Sequence, residues 1–369
     1  MRTNLLILGT AAALSLVAAG GSAATASSNA APPGNAQLRA ALDGVVAAGV
    51  PGALLLVRNG ERTVRLAAGY GNLARRTPMR VTDRFRIGSE TKMFVSTVVL
   101  QLVGEGKLSL DDTVERRLPG LIPNGTNITV RQLLNHTSGL YDYAEDKAFL
   151  AQLDNRRKVW APRRLIAIGT AHKPVFRPGA SWGYSNTGYI ALGMMVEAAT
   201  GHTLGTELRK RIFEPLRLRA TSFDTRPQIA GRYAHGYSRL GKPRLYDVSF
   251  VDPSLFWGAG AIVSTADDLA RFHDALLRGR LLRPNLLAAM KTTVKVTPEQ
   301  GYGLGMSRWR FPCGTFWGHG GGIFGYETFA ASTGDGKRHV VIALNADESV
   351  HSPRMDDPFG RLMAIAYCG

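Results

Sequence analysis

Ser89 and Lys92 stand three residues apart in the stretch Arg86-Ile-Gly-Ser-Glu-Thr-Lys-Met-Phe94. Met93, Phe94, Val95, Val98, Val99, Leu102 and Val103 predict a helix beyond them that Gly104 ends, so both side chains share one face, a turn apart. Such a pair suits nucleophilic catalysis: a desolvated amine loses its proton and takes one from the hydroxyl, directly or through a neighbour. Free N–H groups at the helix start favour the negative charge that develops beside the serine. Taken alone, the pair more often describes a helix-capping serine followed by a surface lysine.

Two further stretches offer the partners this chemistry needs. Trp182-Gly-Tyr-Ser-Asn-Thr-Gly-Tyr189 is a polar, turn-forming loop ahead of a helix. Tyr184 there is a candidate general base or relay if a nearby ammonium lowers its pKa, and Asn186 supplies an amide to bind a substrate carbonyl and orient Lys92. Trp317-Gly-His-Gly-Gly-Gly322 runs out of a predicted strand. Its glycines let a substrate backbone approach closely, and His319 offers a cation or a hydrogen-bond donor.

The elements that must position these residues read as strands around a long helical middle. Asn35 caps a predicted helix through Ala48 with Leu38, Leu42, Val45 and Val46 on one face, and Gly52–Arg58 and Thr63–Ala68 form a hairpin at Asn59-Gly60. Helical patterns recur at 162–171, 188–200, 206–212, 265–277 and 284–291. Thr315–Gly318, Tyr326–Ser332 and His339–Asn345 read as strands, and 357–368 as a closing amphipathic helix. The fold class is α+β: an antiparallel sheet flanked by terminal helices, with an all-helical domain inserted between its second and third strands. The sheet domain is assigned to 35–86 and 292–369, and the helical domain to 87–291.

At 369 residues the chain can bury a large core, and its apolar fraction of 45% is ordinary for a globular protein. Residues 1–26 read as a signal peptide, with Arg2, an apolar run from Leu5 to Ala19 and a small-x-small cleavage site at Ala24-Thr25-Ala26; 27–34 reads as a flexible start. The expectation is therefore a secreted monomer. The net charge of +17 is scattered, which fits an anionic cell wall or surface polymer better than nucleic acid. Cys313 and Cys368 suggest one disulfide in an oxidising compartment, two buried free thiols being the alternative. No cysteine or histidine has metal-ligand spacing, so neither metal nor cofactor is expected.

Ser89-Glu-Thr-Lys92, Tyr184-Ser-Asn186 and His319-Gly-Gly321, in that order, resemble the three motifs of the serine penicillin-recognising enzymes, the group that contains class C β-lactamases and secreted actinomycete-type D-alanyl-D-alanine carboxypeptidases. Leu133-Leu-Asn-His-Thr-Ser-Gly139, Gly258-Ala-Gly-Ala-Ile-Val-Ser-Thr-Ala-Asp-Asp-Leu269, Tyr302-Gly-Leu-Gly305 and Gly320-Gly-Gly-Ile-Phe-Gly-Tyr326 are similar to further stretches of that family. The resemblance implies acyl transfer to Ser89, with Lys92 and Tyr184 moving the proton and the N–H groups of Ser89 and Gly322 holding the oxyanion. It implies that Asn186 and His319 position substrate and proton donors, that Trp257 walls the cleft, and that Arg308 or Arg310 pairs with a terminal carboxylate. The implied activity is a serine D-alanyl-D-alanine carboxypeptidase, or transpeptidase, acting on peptidoglycan stem peptides, with β-lactam antibiotics as inhibitors. A β-lactamase-like esterase, a D-amino-acid amidase and a catalytically silent penicillin-binding receptor are the alternatives. His319 stands where lysine is usual, which favours the carboxypeptidase branch over typical class C β-lactamases. Gly320 stands where threonine is usual, which removes a hydroxyl for a carboxylate and favours carboxylate-free esters.

Other motif matches fail on context. Gly179-Ala-Ser-Trp-Gly183 lacks the preceding strand of a hydrolase elbow, and Gly320-x-Gly322-x-x-Gly325 opens a strand instead of a dinucleotide-binding helix.

Overall fold

The computed structural model describes residues 34–369 apart from 154 and 352. The expected signal peptide and all but the last residue of the flexible start lie outside the described residues. Helix α1 (Asn35–Ala47) buries Leu38, Ala41, Leu42 and Val45, the stripe its spacing predicts. Strands β1 (Gly52–Asn59) and β2 (Arg62–Asn72) follow as a hairpin in which Asn59 faces Arg62, and the two-residue strand β3 (Thr77–Pro78) pairs with β2.

Six more strands follow the insert: β4 (Val294–Lys295), β5 (Gln300–Tyr302), β6 (Ser307–Phe311), β7 (Gly314–Ile323), β8 (Tyr326–Thr333) and β9 (Arg338–Leu344). They complete a nine-stranded antiparallel sheet of order β3-β2-β1-β9-β8-β7-β6-β5-β4. Both halves of the chain thus meet in mid-sheet, where β1 pairs β9 with Ala53 opposite Leu344 and Val57 opposite Val340. β7 does not end at Gly318, where the sequence pattern ends it. Its glycines continue to Ile323 because β8 pairs with them residue by residue, and main-chain pairing needs no side chain.

Between β3 and β4 lies the helical insert. Its central helix α2 (Thr91–Gly104) is buried continuously from Thr91 to Leu100 and again at Leu102, which explains an apolar pattern with no polar face. Helix α3 (Asn186–Thr200) ends at Gly201, whose φ of 70° closes it. Helix α4 (Ala266–Leu277) starts at Thr265, whose hydroxyl accepts the Asp268 N–H. The insert also holds two small sheets, Phe85–Arg86 with Ile262–Ser264 and Ser222–Phe223, and Tyr237–Ser238 with Tyr246–Asp247. Strands this short give no alternation to read.

Helix α5 (Pro353–Cys368) closes the chain. It packs with α1 on one face of the sheet, over Ala53, Leu55, Val57, Val340 and Ile342. Leu54, Leu56, Val341 and Ala343 face the insert and join the core around α2 and α4. Cys313, in the β6–β7 turn, and Cys368, at the end of α5, form a disulfide with Cα atoms 5.3 Å apart.

Candidate active site

Ser89 lies in a single 3₁₀ turn, Gly88–Glu90, that runs directly into α2. Two glycines press this turn against β7. Gly88 has φ +50°, and a Cβ on it would stand 2.9 Å from Gly322 O and 3.0 Å from Gly322 N. A Cβ on Gly321 would stand 2.0 Å from Ile87 O and 2.3 Å from Thr328 Oγ1. The main chain of Gly322 therefore lies beside the nucleophile's turn, and Gly322 borders a narrow cleft of about 30 Å³ at Ser89. Tyr143, Ala144, Asn186, Phe256 and Ile323 form other walls of that cleft.

Lys92, fully buried at the start of α2, donates to Ser89 Oγ at 3.0 Å, to Asn186 Oδ1 at 2.7 Å and to the Ala259 carbonyl at 2.9 Å. Burial pulls its amine down to about 7, with Asp142 acting in the opposite direction. Asn186 is the first residue of α3, two residues earlier than the pattern placed the helix start. Its Nδ2 donates to Asp142 Oδ2 at 2.8 Å.

Tyr184 is half-buried, with Lys92 Nζ 4.9 Å from its ring centre. Burial pushes its phenol well above the usual value, and the Ser89 hydroxyl acts the other way. A lowered phenol was the condition for Tyr184 as a general base, and the site supplies the reverse. Tyr184 is a neutral phenol, suited to relay a proton. His136, at φ 61°, holds this loop: its carbonyl accepts the Gly183 N–H and its Nδ1 the Ser185 N–H.

His319 is buried on β7 and uses both ring nitrogens. Tyr302 Oη lies 2.9 Å from Nε2, and Nδ1 contacts the Gly320 carbonyl, so Nδ1 carries the hydrogen and Nε2 accepts from Tyr302. Burial, then Lys92, holds the ring neutral down to about 3. Of the two roles read for His319, the cation is corrected to a neutral ring, and the donor N–H is already engaged by the Gly320 carbonyl. Gly320 is open: a Cβ there would meet Thr328 O at 3.8 Å and the Phe329 ring at 3.9 Å.

Two expected substrate contacts lie elsewhere. Trp257 does not line the cleft; its indole fills the space left by Gly193 of α3, where a Cβ would stand 2.7 Å from the ring. Phe256, the residue before it, takes the wall instead, and Trp257 itself opens a 3₁₀ turn with φ 32°. Arg308 faces Gly301 across the β5–β6 pair, where a Cβ on Gly301 would stand 3.1 Å from its guanidinium. Neither Arg308 nor Arg310 is a wall of the cleft. β6 pairs Ser307 with Gly318 and then runs away from the glycine stretch, which carries both arginines with it. Asp142, His136, Tyr302 and Phe256 carried no chemical spacing of their own. His136 and Tyr302 each lay in a stretch that the resemblance had picked out.

This Ser–Lys–Tyr arrangement has the parts that acyl transfer to a serine needs, and comparison with known proteins shows the family and the fold. The chain belongs to the β-lactamase family, whose model matches residues 38–364, the family read from the three motifs. It is similar to a D-stereospecific amidohydrolase from Streptomyces, 41% identical with a TM-score of 0.84 over 91% of this chain and 99% of the other. It also resembles the D-amino acid amidase of Ochrobactrum anthropi SV3, 29% identical with a TM-score of 0.80 over 90% and 97% of the two chains. Penicillin-binding protein 4* of Bacillus subtilis (strain 168) is 28% identical over 320 residues, covering 80% of this chain and 68% of that protein.

Proposed function

We propose that this chain is a serine hydrolase that opens amide bonds of D-amino acid derivatives through an acyl-enzyme on Ser89. One observation carries the choice. His319, the group expected to offer a cation beside Ser89, is neutral, and both its ring nitrogens are engaged by Tyr302 and the Gly320 carbonyl. A carboxypeptidase has to hold a terminal carboxylate, which a cation does best; an amide or ester leaving group has no such need. The likeness to the Streptomyces amidohydrolase and the Ochrobactrum amidase supports this reading.

The steps follow from the geometry. The free amine of Lys92 takes the Ser89 proton as Oγ attacks the carbonyl carbon. The N–H groups of Ser89 and Gly322 hold the oxyanion. The proton then passes to the leaving amine, from Lys92 directly or through the Tyr184 phenol, and water releases the acid by the reverse route. A D-alanyl-D-alanine carboxypeptidase is the second reading, favoured by the similarity to a penicillin-binding protein. In either case we propose a secreted enzyme whose charge of +17 suits an anionic wall and whose Ser89 accepts an acyl group from β-lactams.

Turnover of D-phenylalanine amide, its L-enantiomer and an acyl-D-Ala-D-Ala peptide tests the choice, with Ser89→Ala as the blank. Amide turnover with D preference and no peptide cleavage is expected. Preferred cleavage of the peptide would overturn the amidase reading, and activity in Ser89→Ala would overturn the nucleophile.

A further inference from the structure

As an ammonium, Lys92 has three N–H bonds, and its three acceptors are Ser89 Oγ, Asn186 Oδ1 and the Ala259 carbonyl. The last two only accept, whereas the serine hydroxyl can also donate. A neutral Lys92 keeps two N–H bonds for the pure acceptors, and its lone pair is left facing the Ser89 proton. This direction holds only while the Asn186 amide stays one way round. Turned over, Nδ2 would face Lys92 and its N–H would occupy the lone pair in place of the serine.

Asp142 decides between the two orientations. It is 3% exposed, its Oδ2 accepts from Asn186 Nδ2 at 2.8 Å, and its Oδ1 accepts the Ala144 N–H at 3.0 Å. Burial raises this carboxyl to about 6, against the hydrogen bonds it accepts and the charge of Lys92. Above that pH it is ionised, has no proton to offer and faces only the NH₂ end of Asn186. Resting on Ser89 as the nucleophile, we propose that Asp142 is a positioning residue for acyl transfer: it orients the Asn186 amide so that the free amine of Lys92 is aimed at Ser89, and its negative charge stabilises the ammonium formed when the serine proton is taken. The Ser89 O–H bond breaks as the third N–H of Lys92 and the Oγ–carbon bond form, and the proton leaves with the departing group.

The charged and titratable groups around the pair are few. His136 and His319 face Lys92, both held neutral by burial and by its charge, and the Tyr184 and Tyr189 rings lie 4.9 Å and 5.4 Å from Nζ. Glu145, Tyr141, Tyr143 and Tyr184 surround Asp142. Asp142 is the acid that favours the charged form of Lys92, which burial opposes. Removing its charge therefore moves the acid limb of Ser89 reactivity to lower pH, while the limiting rate falls.

A fluorophosphonate probe followed by intact mass reads Ser89 reactivity without assuming a substrate. Wild-type labelling is expected to rise through a pH of about 7. Asp142→Asn is expected to lose roughly 100-fold in plateau rate, the lower end of general-base effects, with its acid limb displaced downward. Asp142→Glu keeps the charge but displaces the carboxylate by a methylene, so a lower plateau with an unmoved limb is expected. An Asp142→Asn enzyme with wild-type plateau and limb would overturn the proposal. If that variant does not fold, Asp142→Glu decides, and a wild-type plateau there overturns it equally. An unlabelled wild-type Ser89 would remove the nucleophile on which the proposal rests. The amide panel, by contrast, tests only the choice of substrate.

Discussion

Protonation of Lys92 sets the working pH. The amine must be free to take the serine proton, and burial places its titration at about 7. The limiting rate, kcat, is therefore expected to fall about tenfold per pH unit just below that value. Below about 6 it should fall more steeply, where burial lets the Asp142 carboxylate take a proton as well. A pH–rate profile checks both. His319, neutral down to about 3, should add no second limb between pH 5 and 9. At this scale the sequence was informative wherever chemistry leaves a spacing. Ser89 and Lys92 share a helix face, and Asn186 stands two residues from Tyr184. Charge states were not legible, because burial depends on elements far away in the chain: the same tyrosine and histidine in open water would fit the roles first read from them. Asp142 was hidden for a related reason, its contact with Asn186 joining a loop to a helix 44 residues further on. Trp257 and Phe256 show the finest limit, since only one of two adjacent aromatic rings reaches the cleft.

Packing of the Ser89 turn on β7 separates three consecutive glycines by function. Gly321→Ala would drive a methyl group into the Ile87 carbonyl, so a loss of about 3 kcal/mol and slower acylation of Ser89 are expected. Gly320→Ala meets only ordinary contacts, and a change within about 1 kcal/mol is expected. Urea unfolding alongside fluorophosphonate labelling distinguishes them, and equal losses in both variants would refute the packing argument. The longer elements were legible because their patterns repeat: α1 by its stripe, α2 by its unbroken apolar run, and β1 and β9 by burial on both faces. β5 and β6 were missed, as Gly301, Gly303, Gly305 and Pro312 around them read as loop while the pairing partner of β6 lies in the next strand. β7 ran beyond its expected end for the same reason: pairing is a property of two strands, and only one was being read.

The disulfide lies on the side of the molecule away from the insert, where α5 meets the β6–β7 turn. It closes a 55-residue separation, so Cys313→Ser is expected to cost about 4 kcal/mol in urea unfolding on a chain-entropy basis, with labelling of Ser89 in native buffer unchanged. Acid stability has a separate origin. His273 is buried neutral at about 4, beside Glu90 and Ser332, so the unfolded chain binds its proton first as pH falls below about 6.5. The stability His273 contributes is complete above that value and is lost as pH falls towards 4. Between pH 7 and 5 the loss from this residue is about 2 kcal/mol, and His273→Gln should narrow the difference in unfolding free energy between those two pH values by that amount.

The contact between Gly88 and Gly322 also bears on how the molecule comes into being. The N–H of Ser89 comes from the start of the insert and that of Gly322 from β7, beyond its end, so they meet only when the insert's first turn docks on the sheet. No local segment of the chain contains a working site, so reactivity is a product of a meeting between parts of the polypeptide far apart in sequence. Topologies governed by such meetings fold slowly, on the order of milliseconds to seconds. Regain of Ser89 labelling after dilution from denaturant is thus a clock for the completed fold, and it should keep time with the return of native sheet and never run ahead of it.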